Sequence, residues 1–146
     1  ALFCDLRFGT AAAKLTTAAP KLGLPAEYGM SWQLPRLVGV TRAADLLLSG
    51  RVFTPAGTES WGLWTGIEPT AEATLATAQQ YAHQLAHGVG PAALATTKAQ
   101  IYRDLLHHSP AQAIHDSQRL LAAAMTTAEY REGVAALREK RPPKFL

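Results

Sequence analysis

The sequence predicts an α/β fold that is mostly helical and short of strands. Three observations lead there. Residues 1–9, ALFCDLRFG, alternate strictly, with Leu2, Cys4, Leu6 and Phe8 on one face and Phe3, Asp5 and Arg7 on the other, the period of a pleated strand. Beyond Thr41 the pattern switches to the helical period, with capping residues in front of the runs and Gly or Pro behind them. Elsewhere, strand character is confined to short stretches near Lys14–Ala18 and Leu63–Ile67, too little for a stable sheet of its own. An unpaired strand edge is a liability. Leu2–Phe8 is therefore expected to add to a sheet whose other strands are not in this chain. Cys4, alternating with Leu2 and Leu6, reads as a small buried hydrophobe rather than a nucleophile.

The most unusual passage follows, at Gly23–Gly39, GLPAEYGMSWQLPRLVG. A Gly/Pro loop carries one acid, Glu27, with Pro25, Ala26, Tyr28, Met30 and Trp32 placed to desolvate it. It runs into an apolar segment from about Ser31-Trp32 to Gly39. Thr41 is placed to cap a helix through Leu48, stopped by Ser49-Gly50. Thr54-Pro55 opens a short helix that ends near Gly62. Thr70 caps a long helix to about His87, with Leu75, Ala78, Ala82, Leu85 and Ala86 as its inner stripe. Gly88, Gly90 and Pro91 break it, and a second long helix runs from about Pro91 to His107. Ser109-Pro110-Ala111-Gln112 and Thr126-Thr127-Ala128-Glu129 are capping boxes for helices of about Pro110–Met125 and Thr127–Lys140. Pro142-Pro143 stops the last one.

The 146 residues suffice for one modest domain with a core. A hydrophobic content of 48% and a charged content of 17% fit an ordinary soluble globular protein. The net charge of +3 is concentrated near the end, where Arg131, Arg138, Lys140, Arg141 and Lys144 face only Glu132 and Glu139. Such a tail can meet phosphates, but the whole is not basic enough to argue for nucleic acid. The single Cys4 excludes an internal disulfide framework and makes a reducing compartment, the cytoplasm, the default. No apolar run approaches the roughly 18 residues of a membrane span. Ala1 opens directly into the strand-like run without a basic leader, so no signal peptide is expected.

Four passages, in order, resemble the enoyl-CoA hydratase/isomerase (crotonase) superfamily. ALFCDLR is similar to the family's A-x-x-C-D-(L/I)-R strand after its Gly-Gly oxyanion segment. GLPAEYGMSWQLPRLVG resembles its G-(L/I)-x-P-(D/E)-x-G loop and the helix that follows. RAADLLLSGRVFTPAGTESWGL and YREGVAALREKRPPKF resemble its L-(S/T)-G and E-G…E-K-R-x-P-x-F passages. The resemblance implies a crotonase-like ββα superhelix, of which this chain is the C-terminal part. Residues 1–69 would complete the core with the active-site loop 23–39, and residues 70–146 would form a helical trimerisation and CoA-capping region. It also implies a homotrimer or dimer of trimers, an acyl-CoA substrate, coenzyme A only as part of that substrate, and a missing N-terminal half that holds both oxyanion N–H donors.

The family's chemistry stabilises a thioester enolate. Each oxyanion donor contributes about 3 kcal/mol to the transition state, and a carboxylate of raised pKa moves the proton. Hydratases of the family use two glutamates. One would precede Ala1; the other aligns at Ala19, which carries no acid. The resemblance places Glu27 where isomerase-type members carry a proton-shuttling acid. Position alone allows a solvated carboxylate near a helix N-terminus. Ala19, Pro25, Met30 and Trp32 are the implied substrate contacts. Leu137 and Lys140 are the implied contacts to the adenine and phosphates of CoA, against the alternative of a solvated basic helix end.

The remaining candidates read as structural. Trp61 and Trp64 suit a core more than an acyl pocket. His83 and His87 stand at i and i+4, but no HExxH acid and no third ligand accompany them. His107, His108 and His115 read as solvated, so no metal site is expected. The competing functions are a catalytically inactive CoA-binding or assembly protein of the same fold, favoured by Ala19, and a free-standing helical interaction module.

Overall fold

The computed structural model describes residues 1–106 and 109–145. The chain divides into two compact units, Ala1–Gln79 and Gln80–Leu146, with the division inside a long helix.

In the first unit, strand β1 (Phe8–Thr10) pairs in parallel with β2 (Gly66–Glu68), Gly9 standing opposite Ile67. The expected strand over residues 1–9 is therefore shorter and later than its alternation suggests. A strand exists only where a ladder partner exists, and the one beside it is three residues long. Ahead of β1 the chain turns, with the Cys4 N–H on the Ala1 carbonyl at 3.0 Å. Arg7 fastens this turn: its Nε donates to the Leu63 carbonyl at 2.8 Å, and its guanidinium also reaches the Cys4 carbonyl. Cys4 is consequently exposed, not buried as the alternation implies. Of the second strand candidate, only Leu15 pairs, in an isolated antiparallel bridge to Phe53.

Helices α1 (Met30–Val38) and α2 (Val40–Ser49) pack together and make the core of this unit. Leu34, Val38, Ala43, Leu46 and Leu63 are buried, with Phe53, Trp61 and Trp64 packed against them. The two tryptophans are thus half-buried against this core. Thr58, fully buried in the 3-10 helix Ala56–Trp61, holds Trp64 by accepting its indole N–H at 2.9 Å. Gly39, rather than Thr41, stands at the N-terminus of α2, because the helix already starts at Val40. Gly50 ends it in the left-handed conformation, as the Ser49-Gly50 stop predicts.

Helix α3 (Ala71–Gly88) starts at Thr70, whose Oγ1 accepts the Ala73 N–H at 3.1 Å. Its expected inner stripe is not buried. Leu75 is 59% exposed, Ala82 and Ala86 are exposed, and only Ala78 and Leu85 are half-buried. An apolar stripe is covered only where another element packs across it.

The second unit holds α4 (Pro91–Leu106), α5 (Pro110–Ala124) and α6 (Ala128–Glu139). The predicted His107 end of α4 lies outside the described residues. Ser109 caps α5 by accepting the Gln112 N–H at 3.3 Å. Thr127, not Thr126, caps α6 and accepts the Tyr130 N–H at 3.2 Å. Glu129 does not return to this cap. Its carboxylate is engaged by α4, accepting the N–H groups of Ala92 (3.0 Å) and Ala93 (3.3 Å). That α4 start has no capping side chain of its own before Pro91, so a carboxylate from a distant helix serves there.

Candidate active site

The loop that the sequence singles out is built by a tight turn on each side. The 3-10 helix Ala19–Leu22 carries Pro20 in its first turn and ends at left-handed Gly23. The Leu24 N–H returns to the Ala19 carbonyl at 3.0 Å, which ties the start of the loop to Ala19. At the far side, Tyr28 and Gly29 both take positive φ (49° and 71°), and the Met30 N–H bonds the Glu27 carbonyl at 2.9 Å. Two successive left-handed residues reverse the chain into α1. A side chain on Gly29 would also crowd the Phe3 ring at 3.2 Å.

Ala19 is 4% exposed, so its methyl group is packed away in this unit. Pro25, Ala26 and Glu27 are exposed, Tyr28 is 88% exposed, and Met30 is half-buried. The expected desolvation of Glu27 by these neighbours is absent, because the loop stands out from the core on its two turns. Trp32 is 44% exposed, and the Arg36 guanidinium lies 3.9 Å over its ring while bonding the Trp32 carbonyl at 2.7 Å. Sequence spacing offered a signal for this pair, since i and i+4 are neighbours on a helix.

Leu137 and Lys140 belong to the second unit. Leu137 is 80% exposed and Lys140 is exposed at the end of α6. Beside them lies an arrangement that the sequence reading missed. Arg141 grips Glu132 with Nη1 at 2.6 Å and Nη2 at 3.0 Å and Glu139 with Nε at 2.6 Å, and the Lys144 N–H adds a bond to Glu132 at 2.7 Å. The Arg141 guanidinium, and then the Lys144 amide, hold the Glu132 carboxyl down at about 2. No local spacing rule marks a pair nine residues apart. A groove of about 680 Å³ between α4, α5 and α6 is lined by Thr97, Gln100, Leu121, Tyr130 and Phe145 among others.

His83 and His87 are exposed with ring centroids 4.1 Å apart, and among the described residues no His, Cys, Asp and Glu side chains gather in a group of three or more suited to a metal. His115 is exposed beside Asp116; His107 and His108 lie outside the described residues. No helix among the described residues is long and apolar enough to cross a membrane.

A short parallel β pair, a packed helical pair and a helical C-terminal unit are the C-terminal part of a crotonase-type α/β fold. The crystal structure of a probable enoyl-CoA hydratase/isomerase from Mycobacterium abscessus matches with a TM-score of 0.93 at 28% identity, over 99% of this chain and 58% of its own. An enoyl-CoA hydratase from Bacillus anthracis matches with a TM-score of 0.90 at 26% identity, over 99% and 55%. The sequence is 36% identical to the 1,2-epoxyphenylacetyl-CoA isomerase of Escherichia coli K12 over 151 aligned residues, 99% of this chain and 54% of that protein. The family model for enoyl-CoA hydratase/isomerase matches residues 1–146, and the chain belongs to that family. It spans about half the length of the relatives it matches.

Proposed function

We propose that this chain is the C-terminal part of an enzyme that acts on acyl-CoA thioesters through an oxyanion-stabilised enolate, with Glu27 as the proton-transferring acid/base. The observation that carries the reading is the family match over residues 1–146, with Glu27 the sole acid of the exposed loop joining the Ala19 turn to α1. In this reading the N-terminal half supplies the oxyanion N–H donors and closes over the loop, so the desolvation that Glu27 needs comes from outside this chain. Pro25, Met30 and Trp32 face the acyl part, with buried Ala19 behind the loop rather than against substrate, and Leu137 and Lys140 take the nucleotide end of CoA, whose binding energy serves the chemistry remotely. Coenzyme A enters only as part of the substrate. The exposed Leu94, Ile101, Leu105, Ile114 and Leu121 of the helical unit favour a homotrimer or dimer of trimers, since so much apolar surface is unusual on a monomer. The cytoplasm is the proposed location.

Isomerisation is favoured over hydration because Ala19 supplies no second carboxylate. The same alanine favours the second reading, an inactive CoA-binding or assembly protein. The full-length protein is to be assayed with crotonyl-CoA and with a 3-enoyl-CoA, beside Glu27→Gln. Isomerisation is expected, lowered about a hundredfold or more in the variant. Turnover that survives the substitution removes Glu27 from the mechanism, and no turnover of either thioester with intact CoA binding favours the inactive reading.

A further inference from the structure

Helix α6 ends at Glu139, and Lys140 then takes φ 53° and ψ 40°. This left-handed conformation suits glycine and strains a residue with a Cβ. Two backbone bonds define the turn: Lys140 N–H to the Leu137 carbonyl at 3.3 Å and Arg141 N–H to the Ala136 carbonyl at 3.1 Å, the pattern of a Schellman end. Glycine would make the same bonds with less strain. A non-glycine residue in this conformation points to a use for its side chain.

The segment beyond the turn is fastened by two carboxylates, of which Glu132 makes the most bonds. Glu132, two helical turns back, takes both terminal nitrogens of Arg141 and the backbone N–H of Lys144. Glu139 holds the Arg141 Nε. Pro142 and Pro143 stiffen the stretch between the two anchor points. A bidentate guanidinium–carboxylate pair fixes orientation as well as distance. Lys140 is therefore the pivot between a helix end and a strap whose course Glu132 decides. The same clasp brings Phe145 to the wall of the groove between α4, α5 and α6.

We propose that Glu132 is a positioning residue for Lys140: by clasping Arg141 and Lys144 it holds the Lys140 turn so that the ammonium group is presented in one place to the phosphates of CoA. This rests on the CoA reading given above and adds to it a residue that touches no part of the ligand. Glu132 acts through the strap, Lys140 by contact.

The test is calorimetric titration of the full-length protein with CoA and with pantetheine, which lacks the nucleotide. Lys140→Ala is expected to weaken CoA binding about fivefold, the size of a solvated charge contact. Glu132→Ala is expected to do the same, the double variant to be no weaker than Lys140→Ala, and pantetheine binding to be unaltered by all three. Glu132→Gln keeps one oxygen acceptor and should fall between wild type and Glu132→Ala; it carries the test if Glu132→Ala loses its helical circular dichroism. CoA affinity unchanged in Glu132→Ala while Lys140→Ala weakens it overturns the proposal, as does a full further fivefold loss in the double variant. Equal weakening toward pantetheine, or unfolding of both Glu132 variants, assigns Glu132 a purely structural part and also overturns it. A wild-type protein that binds no CoA removes the reading beneath it, an outcome distinct from the variants failing on an intact site.

Discussion

Gly90→Ala tests the tie between α4 and α6. Gly90 is buried, and a Cβ built there lies 2.5 Å from Glu129 Oε2 and 3.2 Å from its Cδ. The end of a glutamate side chain can swing away, but only by releasing the Ala92 and Ala93 amides, which it holds at 3.0 and 3.3 Å. Losing a carboxylate cap from a helix start costs about 1–2 kcal/mol, counting the amide bonds and the helix dipole together. Alanine restrains the unfolded chain and returns about 0.4–1 kcal/mol. The net expectation is a loss of about 1 kcal/mol, a fall of roughly 0.3–1 M in the urea midpoint at ordinary slopes. The decisive measurement is the cycle with Glu129→Ala, followed by circular dichroism during urea titration. With no carboxylate to displace, Gly90→Ala in the Glu129→Ala background should be neutral or slightly stabilising, a coupling of about 1 kcal/mol or more. An equal loss in both backgrounds would refute the capping tie and leave Gly90 as a packing position only.

Two further outcomes follow from the same kind of reasoning. Thr58→Val keeps the shape of a fully buried side chain but leaves the Trp64 indole N–H, now 2.9 Å from Thr58 Oγ1, without its acceptor; a loss of about 1–3 kcal/mol in urea unfolding is expected, and a loss under 0.5 kcal/mol would contradict it. The Glu132 carboxyl is lowered from 4.5 to about 2, so its contribution is complete above about pH 4.5 and fades as the pH falls toward 2. The urea midpoint of the full-length protein should therefore fall less steeply over that window in Glu132→Gln than in wild type, and parallel curves would show that the clasp adds nothing.

The helices were legible in the sequence because their signals are local. Thr70, Ser109, Gly50 and Gly62 act on amides and carbonyls within a few residues of themselves, and the start of α6 was read to within one residue, Thr127 capping where the box pointed to Thr126. The loop around Glu27 was legible as a loop for the same reason, and its likeness to a family motif supplied the chemistry. What failed was everything that depends on a distant partner. Leu2–Phe8 has the alternation of a strand, but a ladder forms only as far as Gly66–Glu68 reaches. The α3 stripe has the helical period, but periodicity says which side would be buried, not whether anything covers it. Cys4 followed the strand into the wrong environment. Glu129 sits where a box capped at Thr126 would need it, but the cap is Thr127, and its carboxylate instead takes two amides at the start of α4.

Helix α6 connects these long-range ties. Glu129 and Glu132 are three residues apart, neighbours on one helix surface, where two carboxylates would repel if left to themselves. Each is neutralised by a different structure: Glu129 by the positive end of α4, Glu132 by Arg141 and the Lys144 amide. Both ties reach the lining of one groove, Gly90, Ala92 and Ala93 through Glu129 and Phe145 through the strap. Loosening the strap should thus be felt at the start of α4. Hydrogen exchange of the Ala92 and Ala93 amides in Glu132→Ala reads that coupling directly: faster exchange there supports one linked unit, and unchanged exchange makes the two ties independent.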